Sequence, residues 1–222
     1  ARISNTFAKE SSAGLNKSVY DPYVKAFRWA SDRLEKEHGG IIAFVSNSGW
    51  LDGNSTDGFR KCIEREFSAI YVFNLRGNQR TSGELSRKEG GKIFGSGSRT
   101  PIAITFLIKN PKSNIKKANI YHHDIGDYLT RDEKLNLIKN FSSVGNREIK
   151  WETLRPNEHG DWLNLRDDLF ESFIPLAPEK KFDPKSNSFF LTYSNGIVSS
   201  RDSWVYNFSW SSLKENMTKM IT

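Results

Sequence analysis

The stretch Pro101-Ile102-Ala103-Ile104-Thr105-Phe106-Leu107-Ile108 constrains this chain more than any other. Its β-branched and aromatic residues read as a strand. The run is apolar without alternation, which says that both faces of the strand are covered. Ile70 to Leu75 reads as a second strand. Between the two lies Arg76 to Thr100, which has no apolar period. It carries Arg76, Arg80, Arg87, Lys88, Lys92 and Arg99 against Glu84 and Glu89, with glycines at 77, 83, 90, 91, 95 and 97. Unstructured loops longer than ~12–15 residues are uncommon inside a domain and are usually functional or disordered. A basic, glycine-rich one suits a polyanion: arginines reach phosphates, and glycines let backbone N–H groups approach. The plain alternative is a mobile surface loop with solvated charges.

Upstream, Asp21-Pro22 opens a helix, with Pro22 at its first position. Tyr23, Phe27, Ala30 and Leu34 follow at helical spacing, and Gly39-Gly40 stops it. Ile41 to Ser46 is a strand and Asn47 to Ser55 a turn. Thr56-Asp57 starts a helix with Phe59, Ile63 and Phe67 inward. Cys62, the single cysteine, sits beside them as a small core residue. It excludes an internal disulfide and a cysteine metal cluster. Strand–helix–strand spacing implies a right-handed crossover, with 41–46 and 70–75 parallel. Residues 1–19, polar around Ser11 to Gly14, read as a loop or flexible lead-in.

Past Ile108, the basic turn Lys109–Lys117 offers a second phosphate contact or a solvated loop. Ala118 to His122 is a short strand. His122, His123 and Asp124 do not suggest a shared metal, because adjacent strand residues point to opposite faces. Thr130 to Asn140 is a helix with Leu135 and Ile138 inward. Ile149–Trp151 and Asp161–Arg166 flank a polar turn at 156–160, and a short helix is expected over Asp167–Phe173. Pro175 to Asn187 reads as a linker, Phe189 to Tyr193 as a strand, and Leu213 to Ile221 as a helix.

Length, 222 residues, admits one large domain or one plus a small appendage. The net charge of +7 fits a nucleic-acid partner. No apolar run approaches the ~20 residues of a membrane helix, and the first residues show no signal-peptide pattern; a cytoplasmic protein is the default. The only methionines are Met217 and Met220, so a piece of a longer polypeptide is expected.

Three segments carry a family resemblance. Lys92-Ile93-Phe94-Gly95-Ser96-Gly97-Ser98-Arg99-Thr100-Pro101 resembles the wall of the target-base pocket in adenine-N6 DNA methyltransferases. Ile42 to Leu51 and Phe73 to Gly83 look like the type ISP restriction–modification enzymes, single chains that join nuclease, helicase-like motor, methyltransferase and target-recognition domain. Gly196 to Phe208 resembles the junction into that last domain. The resemblance implies an α/β fold: the C-terminal half of a class I, Rossmann-like methyltransferase sheet with a reversed last strand, and a small mixed extension. In that arrangement strand 101–108 runs antiparallel between 41–46 and 70–75. Residues 1–174 would complete the catalytic domain, and 175–222 would be linker and start of the specificity region.

The implied chemistry is methyl transfer from S-adenosylmethionine to adenine N6, the adenine leaving the stack to sit between apolar walls. Phe94 matches the base-packing aromatic; the alternative is that it anchors the loop on the sheet. Arg76, Arg80, Arg87, Lys88, Lys92, Arg99 and Arg201 are the candidate DNA contacts. Phe94-Gly95-Ser96-Gly97 echoes the cofactor motif Phe-x-Gly-x-Gly but precedes a strand where that motif follows one. Asp21-Pro22-Tyr23 lacks a proline of the catalytic Asn-Pro-Pro-Tyr and has no strand before it. Both motifs are expected upstream, so this chain is expected to bind no cofactor or metal and to carry no catalytic residue. Its partners would be double-stranded DNA, the upstream half, and another copy pairing through the exposed strand 41–46. A non-enzymatic DNA-specificity module is the second reading. A nucleotide-phosphate enzyme lacks support, since no Gly-x-x-x-x-Gly-Lys-Ser/Thr is present.

Overall fold

The reversed strand sits where the family pattern puts it. In the computed structural model, β1 (Gly40–Asn47) and β2 (Ala69–Arg76) both pair antiparallel with β3 (Ile102–Lys109), which lies between them. β1 and β2 are therefore parallel to each other. β4 (Asn119–Asp124) pairs parallel with β2, and β5 (Glu152–Leu154) antiparallel with β4, for a sheet order β1-β3-β2-β4-β5. The described residues are 2–13, 17–35, 37–95, 97–163, 165–167, 169, 172–178, 182–194, 196, 198–199 and 201–221. They form two compact units, 1–166 and 167–222.

Register divides the first unit into layers. Ile42, Leu107, Ile70 and Ile120 share a row, and all are buried against α2 (Pro22–Ser31) and α3 (Asp57–Glu66). Edge-to-face and tilted aromatic pairs fill that side: Phe27–Trp50, Phe27–Phe59, Trp50–Phe59 and Trp50–Trp162 lie at centroid distances of 5.1 to 6.1 Å. Such pairs add to simple area burial. As expected, Phe59, Ile63 and Phe67 face inward with Cys62 beside them; burial pushes its thiol up to about 11. On the opposite face Phe73, Phe141, Trp151 and Ile138 pack around α5 (Arg131–Phe141).

Several expectations are corrected. The first residues are core, not lead-in. Arg2–Asn5 forms α1, and Ile3, Phe7 and Val19 are buried. Phe7 meets Phe59 at 4.9 Å, and the buried Asp57 accepts hydrogen bonds from the Ser11 and Ser12 hydroxyls and the Ser12 amide. A polar sequence concealed this because its serines are spent satisfying a buried carboxylate. Helix α2 stops at Ser31, short of Gly39-Gly40. β3 is fully covered on one face only: Ala103, Thr105 and Leu107 are buried, while Ile104, Phe106 and Ile108 remain half-buried. Next to them on β1, Ile41 is 64% and Val45 56% exposed. In α5 the most buried side chain is Lys134, with Leu137, Ile138 and Phe141, while Leu135 stays outside that cluster.

The second unit holds α6 (Asp202–Val205) and α7 (Trp210–Ile221). Phe189–Tyr193 forms no strand; Phe182 and Thr192 make an isolated bridge, and Asp183 N donates to Leu191 O. At the start of the expected linker, the Pro175 and Leu176 carbonyls accept from the Phe189 and Phe190 amides. Part of the short helix expected at Asp167–Phe173 lies outside the described residues, as do Gly14, Ser96, Asn164, Ile197 and Ser200 from the segments singled out above.

Candidate nucleic-acid interface

The basic loop is a folded element. Residues Gly83–Glu89 form α4, correcting the expectation of a structureless run. At the end of β2 a bulge between Asn74 and Arg76 puts Arg76 at φ 55°. A bulge aims a side chain out of the ladder. Here it sends the guanidinium to Asp124 Oδ1, with Nε donating at 2.7 Å, and to Asp127. The chain returns on itself: Gly77 N donates to Glu89 O, Asn78 N to the Glu89 carboxylate, and Gln79 N to Arg99 O.

The segment from Asp124 to Lys134 is the platform that holds this loop. Tyr128 N donates to Lys88 O, and the Tyr128 hydroxyl to Glu84 at 2.6 Å. Gly91 N donates to Leu129 O at 2.8 Å. Arg131 Nε donates to Ile93 O at 2.9 Å. Lys134 is fully buried, and its Nζ donates to Glu89 O at 2.7 Å and Gly91 O at 2.9 Å. Burial pushes this ammonium below the usual lysine value, though Glu89 pulls the other way. Two carbonyl oxygens accept two of the three N–H donors of this buried ammonium. Glycine is required at the seam: a Cβ on Gly90 would lie 2.2 Å from Leu129 O, and one on Gly91 2.4 Å from Arg131 N.

The structure thus sorts the candidate cations. Arg76 is engaged by two carboxylates. Arg87 pairs with Glu84 within α4, with Nε at 2.8 Å. Arg99 Nε donates to Gln79 O at 2.9 Å. Arg80, Lys88 and Lys92 make no ion pair among the described residues, and Arg80 and Lys88 are exposed. Arg201 belongs to the second unit, where its carbonyl accepts from Trp204 and Val205 at the start of α6. Phe94 is 52% exposed, directly after the buried Ile93 that roots the loop in the second core cluster.

Beside the loop is a polar cleft of about 90 Å³. It is lined by Ser48, Gly49 and Asp52 after β1, Asn74 and Arg76 at the end of β2, and Glu89 at the end of α4. It lies at the carboxyl ends of the two parallel strands, where open α/β sheets place their ligands.

Sequence reasoning missed the platform. Two signals were present. Thr130 and Glu133 stand at the spacing of a capping box, and both halves of that box form. Lys134, Leu137, Ile138 and Phe141 fall at i, i+3, i+4 and i+7, so the lysine occupies an inward position of the helix.

The chain is similar to known proteins. The Type ISP C-terminal specificity domain family matches residues 188–222. Among solved structures, a nuclease-deletion mutant of the Type ISP restriction–modification enzyme LlaGI in complex with a DNA substrate mimic is 46% identical with a TM-score of 0.82, over 99% of this chain and 17% of that one. The ATP-dependent Type ISP enzyme LlaBIII bound to DNA is 35% identical with a TM-score of 0.87, over 99% of this chain and 14% of that one. The DrdV–DNA complex is 32% identical with a TM-score of 0.82, over 99% of this chain and 21% of that one. This chain therefore spans about a fifth or less of those proteins' lengths. No curated protein matches.

Proposed function

We propose that this chain, a Type ISP-like segment over 99% of its length, contributes the base-pocket wall and a DNA-contacting loop to an adenine-N6 DNA methyltransferase of a restriction–modification system. Its end would open the specificity domain. The observation that carries the reading is the braced basic loop: Arg80, Lys88 and Lys92 are left without ion-pair partners among the described residues, and an exposed aromatic, Phe94, follows the anchored Ile93. The DNA in the LlaGI, LlaBIII and DrdV structures supports the same partner here. Cations on a fixed frame contact phosphates, and a π-face accepts an extruded base of any identity.

The first unit is read as the C-terminal half of a Rossmann-like methyltransferase sheet, with β1 at the edge where the upstream half would pair. An exposed edge strand is a template for another chain, so an isolated copy would self-associate there. In this reading S-adenosylmethionine is bound outside this chain, because Phe94-Gly95-Ser96-Gly97 precedes a strand where the cofactor's glycine turn follows one, and no Asn-Pro-Pro-Tyr is present. The cofactor site and the proton-accepting motif are assigned upstream.

The test is a methyl-transfer assay on duplex DNA with the whole enzyme, alongside a calorimetric cofactor titration. Phe94→Ala is expected to lower methylation by about one to two decades, from base-packing worth roughly 1–3 kcal/mol, and to leave cofactor affinity unchanged. Phe94→Trp retains a π-face and is expected to be milder. Full activity in Phe94→Ala refutes the pocket role. The match of residues 188–222 to a specificity domain favours a second reading, a DNA-specificity module without catalysis. Absence of S-adenosylmethionine binding by the whole enzyme would select it.

A further inference from the structure

We infer that Lys134 and Arg131 are positioning residues for the base-packing loop, setting Phe94 in place from helix α5 behind it; this rests on the pocket reading above. The two side chains hold three carbonyls in succession. Lys134 Nζ takes Glu89 O and Gly91 O, and Arg131 Nε takes Ile93 O. Gly91 N closes the seam on Leu129 O. The anchors end one residue before Phe94. The ring is half exposed, so its direction depends in large part on the backbone behind it. A buried lysine is costly unless fully paired, yet an apolar residue would fill the same inward position of α5. Spending an ammonium there gives two directed bonds to a glycine-rich segment that has few side chains of its own with which to pack. The capping box at Thr130 and Glu133 fixes the first turn of α5, so both donors start from a rigid element. Orientation of this kind carries large kinetic weight, since a misplacement of about 1 Å can cost a hundredfold in rate.

The experiment uses the whole enzyme as wild type, Lys134→Met, Arg131→Ala, Phe94→Ala and the double variants with Phe94→Ala. Two quantities are read: hydrogen exchange of the peptide spanning residues 89–95, and kcat and KM for methyl transfer from labelled S-adenosylmethionine to unmethylated plasmid DNA. Arg131 is an exposed side chain, so its removal spares the fold if Lys134→Met does not. Both single variants are expected to speed exchange in 89–95. Both are expected to lower kcat by about tenfold to a hundredfold, with KM for DNA unchanged. Neither is expected to lower kcat further once Phe94 is already alanine, because residues acting through one another are not additive. Unchanged exchange overturns the inference. So does an equal loss of kcat in the Phe94→Ala background, which marks a purely structural role. If Phe94→Ala is itself fully active, the pocket reading falls, and faster exchange in Arg131→Ala still upholds the anchoring of the loop.

Discussion

Arg76 Nε donates to Asp124 Oδ1 at 2.7 Å, across 48 positions of sequence. The bond pairs the first arginine of the basic loop with a carboxylate, and Arg76 is therefore expected to add little to DNA binding. It also ties the end of β2 to the end of β4, the two parallel neighbours whose carboxyl ends carry the loop and its platform. Counterion release makes this testable: each phosphate neutralised adds about 0.9 to the slope of log affinity against log salt. Arg80→Ala and Lys88→Ala are each expected to reduce the slope by about 1. Arg76→Ala is expected to leave it unchanged while costing about 1–2 kcal/mol of stability, between the values for exposed and buried pairs. Fluorescence anisotropy on duplex DNA at several salt concentrations, with thermal unfolding in parallel, checks both. An equal slope change for Arg76 would return it to the contact set.

Asp57 gives the fold an acid limit. Burial pushes its carboxyl upward, but hydrogen bonds from Ser11, Ser12 and the Gly58 amide outweigh that and bring it down to about 2. A depressed folded value means stability that is complete above the ordinary value near 4 and lost as pH falls through about 2. The expected loss across that window is about 2–3 kcal/mol. Chemical denaturation of wild type and Asp57→Asn as a function of pH measures it. The variant is expected to be less stable at pH 7 and flatter between pH 4 and 2.

Phe7→Ala tests whether the first residues are core. Its ring is fully buried against Phe59. Removal is expected to cost about 3–5 kcal/mol and to open residues 2–13 to proteolysis. A loss below 1 kcal/mol would restore the reading of a lead-in.

Thr130→Ala removes one half of the capping box, leaving the Glu133 amide without its partner. A loss of about 1 kcal/mol is expected, with faster exchange in the first turn of α5 and in the loop it braces. Thr130→Ser is expected to be near neutral.

Val45→Lys addresses the sheet edge. Val45 is exposed on β1, beside the half-buried Ile104 with which it pairs. A charge on an edge strand discourages pairing with another copy. If the isolated chain self-associates through this strand, sedimentation should show the lysine variant shifted toward monomer.

What the sequence determined by itself was the order and kind of the central elements. Strands 41–46, 70–75 and 101–108 and the helix of Phe59 and Ile63 were legible, because a local apolar pattern reports burial directly. The reversed direction of β3 was implied by the family pattern and borne out in the pairing. Tertiary structure decided which polar residues are interior. Ser11 and Ser12 look like loop residues until Asp57 is placed beneath them. Lys134 looks like solvated surface until the carbonyls of Glu89 and Gly91 arrive from 45 and 43 positions away. It also decided that the basic loop is braced, and which of its cations make no ion pair among the described residues. The reason is physical: apolar burial is written in residue type and period, whereas a buried polar group depends on partners that only the folded chain brings within reach.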